Sequence, residues 1–276
     1  AGAYANLGSE VTILHRSPTI LKSFDADMVK LVTDRFAHKN VKVLTNVAVK
    51  GAVEHDASVT VTYEAEGVSH DLEVDYVMVA TGRIPNTDEL NLAVAGIELD
   101  DKGLVKVDKQ GRTTNPAVFA IGDIVPGPAL AHKASYEAKI AAEAISGKAV
   151  AVDYVAIPAI CFTDPELATV GLSEAEAKKQ GIDVKVARFP FGANGRALSL
   201  DQAEGFVRLV SDKKTGLLIG GQVAGAGASD LIAEISLAIE ARMVVEDLSL
   251  TIHAHPTLSE TILDASELAL GMPIHI

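Results

Sequence analysis

The sequence predicts an α/β chain that changes to α+β in its carboxyl-terminal part. Three observations carry this. A helix, a strand, a helix and a strand follow one another from Ala1 to Leu44, the order of a βαβ unit. An apolar run, Tyr76–Ala80, reads as a central parallel strand. From Tyr154 onward, strand patterns come in succession and the long helices are gathered at the end.

The elements follow in order. AGAYANLG reads as a helix end, with Gly8 as its stop. Glu10–Leu14 is a buried strand. Phe24–Ala37 is an amphipathic helix with Met28, Leu31, Val32 and Phe36 at helical spacing. Val41–Leu44, Val47–Val53 and Val59–Glu64 are β-rich. A helix before the first strand implies a βαβ unit whose opening strand precedes Ala1. After Gly82 and Pro85 come a buried strand, Ala117–Ile121, a stiff loop at Pro126–Pro128, and an alanine-rich helix, Ala134–Ser146. Strands are then expected at Thr169–Gly171, Val184–Phe189, Gly205–Val210 and Leu217–Val223. Ser173 and Glu176 form a capping box. A helix opens at Ser229 or Asp230 and runs to Arg242, and the last runs from about Thr257 to Leu270.

Composition narrows the function. The 276 residues are 48% apolar and carry a net charge of −13. That balance argues against nucleic acid or an anionic membrane as the main partner. No apolar run is long enough to span a bilayer. Cys161 is the one cysteine, so no intrachain disulfide forms, and a reduced, cytoplasmic setting is expected. Its apolar surroundings, Ala159–Phe162, read as those of a buried, inert thiol.

Several motifs bear on chemistry. Gly225-Ala226-Gly227 follows a strand and precedes a helix, as in a dinucleotide fingerprint, but Asp230 stands at the third glycine position. A carboxylate there would repel a pyrophosphate, so a tight structural turn is the better reading. Ala80-Thr81-Gly82-Arg83 lies past an apolar strand, where ligands of parallel sheets bind. Gly122-Asp123 repeats that geometry, and Asp123 suits sugar or polyol hydroxyls, although Asp is also a common turn residue. Ala131-His132-Lys133-Ala134 follows at a helix start.

The sharpest signal is Ile252–Glu260, IHAHPTLSE. His253 and His255 share a face if extended. Pro256 suits the first helical position, which would leave the His255 ring at the cap, free to enter a cleft. Glu260 could orient the imidazole of a general base. Equally, Thr257 and Glu260 fit a capping box that needs no catalysis. A zinc site fails for want of further ligands, so no metal is expected.

These motifs occur together, and in this order, in one family. ATGRIPN (Ala80–Asn86), FAIGD (Phe119–Asp123), PGPALAHKASY (Pro126–Tyr136), FTDP (Phe162–Pro165) and IHAHPTLSE resemble those of the pyridine nucleotide–disulfide oxidoreductases, in the branch that oxidises dihydrolipoyl groups. The resemblance covers essentially the whole chain. It implies a partial Rossmann-like NAD-binding domain over 1–82, a central FAD-contacting segment over 83–153, and an α+β dimerisation (interface) domain over 154–276.

The resemblance also implies roles. His255 matches the general base and Glu260 the acid that orients it. Asp123 matches the contact to the ribityl side of FAD, with Ala131 and His132 near the flavin ring. Val47, Ala80, Thr81, Gly82 and Arg83 match positions lining the NAD site. His15 stands where an acid for the NAD ribose is usual, and with Arg16 and Lys22 close by, NADP is an open alternative.

The activity implied is oxidation of dihydrolipoyl groups, with electrons passing through a disulfide and FAD to NAD⁺, within a 2-oxoacid dehydrogenase complex such as the pyruvate dehydrogenase complex, or glycine cleavage. The implied partners are a second copy of the chain, the lipoyl domain, and the peripheral subunit-binding domain of the acyltransferase. The family's FAD fingerprint and redox cysteine pair would precede Ala1, so this stretch alone is expected to be inactive. Two other readings stay open: an NADPH-using flavin disulfide reductase, and a dimerisation or docking module without activity of its own.

Overall fold

A computed structural model describes all of residues 1–276. The chain divides into two compact units, one made of residues 1–77 with 155–276, the other of residues 78–154.

The first unit opens with α1 (Gly2–Asn6), β1 (Val11–His15), α2 (Ala26–His38) and β2 (Val41–Thr45). β1 and β2 pair in parallel, as a βαβ crossover requires. β3 (Val47–Glu54), β4 (Val59–Ala65) and β5 (Val68–Val74) form an antiparallel meander. β5 is absent from the sequence reading. Its VSHDLEV pattern puts polar residues on a largely exposed strand, and the β4–β5 turn uses Glu66 and Gly67, both at positive φ.

The run Tyr76–Ala80 is a correction. It forms no strand, and Tyr76, Met78 and Val79 are exposed. Strand pairing needs a neighbour, and β1 pairs only with β2, so no ladder flanks these residues.

The rest of the first unit is α+β. In chain order it comprises β6 (Ala159–Cys161), β7 (Glu166–Gly171), α4 (Glu174–Lys179), β8 (Val184–Pro190), α5 (Gly195–Ser199), β9 (Phe206–Asp212), β10 (Leu218–Gly225), α6 (Ala228–Glu240), α7 (Val245–Ser249) and α8 (Glu260–Leu270), with α3 (Ala131–Ile145) belonging to the second unit. The five strands pair antiparallel in the order β6-β7-β10-β9-β8. The Ser173–Glu176 capping box forms at the start of α4 as expected. α8 begins at Glu260 rather than Thr257, so Pro256 lies ahead of the helix and not in its first turn.

Both faces of this sheet are buried, because successive strand residues point to opposite sides. Ala168, Val207, Leu209 and Val223 face α6, α7 and α8, with Ile235 and Ile262 fully buried against them. The intervening Leu167, Phe206 and Ala224 face α2 and pack on Met28, Val32 and Phe36. Burying each of these larger side chains contributes roughly 1.5–3 kcal/mol. Arg208 fastens the same seam: its guanidinium bonds the Asp25 carboxylate at 2.9 Å, the Gln222 carbonyl at 2.6 Å, and Asp27.

The second unit contains α3 (Ala131–Ile145) and short 3₁₀ turns, one of them Gly122–Ile124. Ala117–Ile121 is a second correction: it is not a regular strand. It is held by an isolated bridge between Arg112 and Phe119 and by the bonds Thr113 N–H to Val118 C=O and Ala120 N–H to Gly111 C=O. Ile97, Val105, Ala120 and Val125 form its small core.

Candidate active site

His255 and Glu260 lie on a loop and on the first residue of the helix that follows it. His255 Nδ1 is 2.9 Å from Glu260 Oε1, and the other carboxylate oxygen accepts the Thr257 N–H at 2.7 Å. One carboxylate therefore does both jobs weighed from the sequence, orienting a histidine and tying down the chain before a helix. The capping box is only half made, since the Thr257 hydroxyl donates to Ala254 C=O instead.

Burial pushes the Glu260 carboxyl up, but the Thr257 N–H, the hydrogen bond and charge of His255, and the charge of His275 outweigh it. The carboxyl is held below its usual range. An ionised carboxylate only accepts, so His255 Nδ1 must donate and Nε2 is left as the basic nitrogen. The His255 side chain is 80% exposed, so Nε2 is reachable from outside.

His253 does not join it. Its side chain is buried, with Nε2 at 2.7 Å from Glu234 Oε1 on α6 and Nδ1 at 2.9 Å from Thr251 C=O. The two histidines alternate in sequence, but one is a buried structural group and the other faces solvent. The sequence reading also missed Asn194. This buried amide accepts from Ala197 N–H, capping α5, and donates to Thr257 C=O at 3.1 Å, which holds the loop that carries His255.

In the second unit, the Gly122–Ile124 turn presents Asp123, whose half-exposed carboxylate lies 3.4 Å from an Arg83 guanidinium nitrogen. Gly122 has φ +77°, a conformation that favours glycine. Ala131 and His132 open α3, which has no side-chain cap and no acid in its first turn. An acceptor for hydroxyls beside an uncapped helix start fits a polyol chain carrying phosphate. Ala80, Thr81, Gly82 and Arg83 are exposed, and nothing lies within 4 Å of where a Gly82 side chain would begin, which suits close approach of a flat ring.

The remaining expected contacts are in the first unit. His15 ends β1, with its Nδ1 3.3 Å from the Ser17 N–H, and Arg16 beside it is exposed. Val47 is buried at the start of β3, so only its backbone and its neighbours can line a site.

Gly225–Gly227 is a structural turn, as the sequence indicates. A side chain at Gly225 would come within 2.6 Å of the Phe191 ring, and the Glu166 carboxylate already accepts the Ser229 N–H at the start of α6, where a phosphate would sit. Cys161 is half-buried. Burial raises its thiol pKa against a lowering hydrogen bond from Thr163, which keeps it protonated. No cluster of side chains suits a metal ion, and no helix is long and apolar enough to cross a membrane.

Known proteins agree with this architecture. Residues 1–138 match the family described as pyridine nucleotide-disulphide oxidoreductase, and residues 157–266 match its dimerisation domain. A dihydrolipoyl dehydrogenase of Geobacillus stearothermophilus is 57% identical over 274 residues, and one of Halobacterium salinarum 44% over 273; each alignment takes in 99% of this chain and 58% of the relative. The chain thus spans little more than half the length of these relatives. Among solved structures, LpdA from Mycobacterium tuberculosis superposes with a TM-score of 0.89 at 29% identity, over 97% of this chain and 58% of that one. The HOCl-induced flavoprotein disulfide reductase RclA from Escherichia coli gives 0.88 at 27%, over 97% and 61%. With a family match over half its length, a second over its sheet-and-helix domain, and relatives that align with 99% of it, the chain belongs to the pyridine nucleotide-disulphide oxidoreductases.

Proposed function

We propose that this chain works within a dihydrolipoyl dehydrogenase, oxidising dihydrolipoyl groups at the expense of NAD⁺. The observation that carries the reading is the His255–Glu260 pair: a carboxylate held ionised, a hydrogen-bonded Nδ1, and an exposed Nε2. His255 Nε2 takes the proton from a dihydrolipoyl thiol; the thiolate attacks one sulfur of a redox disulfide, forming a mixed disulfide as the old S–S bond breaks and its other sulfur leaves as a thiolate. Glu260 fixes the tautomer and steadies the imidazolium that forms. The single cysteine, half-buried Cys161, does not fit that disulfide, and no dithiol pair is among these 276 residues.

FAD, when bound, supplies the route for electrons from the disulfide to the nicotinamide. Asp123 would accept hydrogen bonds from the ribityl hydroxyls, and Ala131 and His132 would present backbone at the start of α3. Ala80 to Arg83 would contact the nicotinamide dinucleotide from the second unit; in the first unit the Val47 backbone would be a further contact, and His15 and Arg16 would meet the adenosine ribose.

The partners follow from the same reading. Exposed Leu237, Leu250 and Ile252, on and near the matched dimerisation domain, suit burial against a second copy. The wider assembly is a 2-oxoacid dehydrogenase complex, reached through the lipoyl domain and the peripheral subunit-binding domain of the acyltransferase, in the cytoplasm.

The test uses the protein as its gene encodes it, loaded with FAD. His255→Ala should lower dihydrolipoamide turnover by about 10²-fold or more, the scale of a lost general base. Turnover close to normal removes His255 from the mechanism.

A further inference from the structure

Lys133 and Glu137 are an ion pair inside the second unit. Their side chains are 0% and 10% exposed and stand 3.1 Å apart, one turn from each other on α3. A buried pair is no better for stability than apolar residues of the same size, so its presence calls for a specific use. That use is visible in what the pair holds. Glu137 Oε2 accepts the Gly122 N–H at 2.8 Å, and the Gly122 carbonyl accepts a hydrogen bond from Lys133 Nζ at 3.0 Å. Both backbone groups of one residue are thereby gripped by opposite charges.

Gly122 immediately precedes Asp123. Its turn sits directly on α3, since a side chain at Gly122 would come within 3.2 Å of Ala134 Cβ. The Lys133 stem fills the space beside Gly127, where a side chain would meet Lys133 Cε at 2.7 Å. The grip therefore ties three things into one piece: the Asp123 turn, the start of α3 at Ala131, and the loop at Pro126–Pro128.

We propose that Lys133 and Glu137 are positioning residues that hold the Gly122–Asp123 turn, so that the Asp123 carboxylate is preset for the hydroxyls of the flavin's ribityl chain. This rests on reading Asp123 as a flavin contact. Neither side chain touches the flavin; both act through the backbone of Gly122. A preset acceptor binds more tightly because little ordering remains to be done on binding.

The experiment is a double-mutant cycle on FAD affinity, measured by titrating the full-length apoprotein with FAD, with thermal unfolding of each apoprotein alongside. Asp123→Ala, Glu137→Gln and Lys133→Met should each weaken FAD binding by about 10-fold, the scale of one hydrogen bond to a charged group. Asp123→Ala combined with Glu137→Gln should be no weaker than the weaker single variant, because both act on one contact. If Asp123→Ala weakens FAD but Glu137→Gln and Lys133→Met do not, the positioning role is overturned and the flavin contact stands. If the double variant loses about 100-fold, the pair acts elsewhere than through Asp123, and the proposal is again overturned. If Asp123→Ala binds FAD as tightly as the parent, the flavin contact itself is wrong. Should Glu137→Gln fail to fold, Glu137→Asp, which keeps the charge but draws the carboxylate back, is read in the same way.

Discussion

Glu260 divides its two oxygens between His255 Nδ1 at 2.9 Å and the Thr257 N–H at 2.7 Å. The imidazole is therefore oriented by a group that is itself fixed by the backbone. Glu260→Gln keeps the shape but replaces the acceptor-only carboxylate with an amide that can point either way. Turnover of the FAD-loaded, full-length protein should fall by about 10-fold, less than the ~10²–10⁴ worth of the base itself. Steady-state kinetics with dihydrolipoamide check this. A kcat unchanged by the substitution would reduce Glu260 to a helix-start residue.

The same pair of bonds sets a pH dependence of stability. The Glu260 carboxyl lies below its ordinary value of 4.5 in the folded chain. Its contribution is fully present above that value and is lost as pH falls through the lowered one. Chemical unfolding of the parent and of Glu260→Gln should differ at neutral pH and converge at strongly acid pH. A gap that persists unchanged into acid would assign the stabilisation to something other than the charge.

His275 titrates the other way. Its Nδ1 stands 2.7 Å from the buried Asp264 carboxylate on α8, and that bond, with the charges of Asp264, Glu267 and Glu260, outweighs burial and raises its pKa above 6.5. The attachment of the chain after α8 is at full strength below that value and weakens as pH rises through the raised one. Amide hydrogen exchange at residues 272–276 should quicken between mildly acid and alkaline pH by more than the intrinsic chemistry requires. His275→Gln should abolish the excess.

Arg208 uses a planar fork on Asp25, Asp27 and Gln222, and lies over the Phe206 ring with its centre 4.8 Å from the ring centroid. A lysine offers one ammonium and cannot reproduce the fork. Arg208→Lys should cost about 1–3 kcal/mol in unfolding experiments. That is below the ~3–5 of breaking a fully buried pair, because Asp25 and Asp27 keep 38% and 43% of their side-chain surface. A loss near zero would mean that the apolar seam alone holds α2.

Arg16 is exposed beside His15, at the strand end where an acid would favour a free ribose 2′-hydroxyl. In the full-length protein, Arg16→Ala should lower kcat/KM for the NADP couple by about 10-fold and leave that for NAD nearly unchanged, the scale of one charged contact. A strong NAD preference that is the same with and without Arg16 would exclude it from cofactor choice.

Much of this was legible in the sequence because the signals are local. The strands β7 to β10 announce themselves by apolar runs between turn residues, and the α4 capping box lies within four consecutive positions. The His255–Glu260 pair is five residues apart, so one loop and one helical turn suffice to bring it together. What was missed depends on distant packing. His253 meets Glu234 only because α6 lies beneath the loop, and Asn194 reaches Thr257 across 63 residues. Tyr76–Ala80 failed for the opposite reason: its composition suits a strand, but a strand also needs a neighbour, and composition does not supply one. The grip of Lys133 and Glu137 on Gly122 joins a helix to a turn whose position neither segment encodes alone.

The seam between α2 and the antiparallel sheet has a consequence for synthesis. Met28, Val32 and Phe36 are covered by Phe206 and Ala224, about 170 to 195 residues further along the chain. At ~5–20 residues per second, the ribosome delivers that cover roughly 10–35 s after α2 has emerged. Until then the apolar stripe of α2 faces the surrounding solution, open to chaperones and to other unfinished chains. α2, rather than the antiparallel sheet that covers it, is where the rate of translation decides how much of this polypeptide reaches its native state.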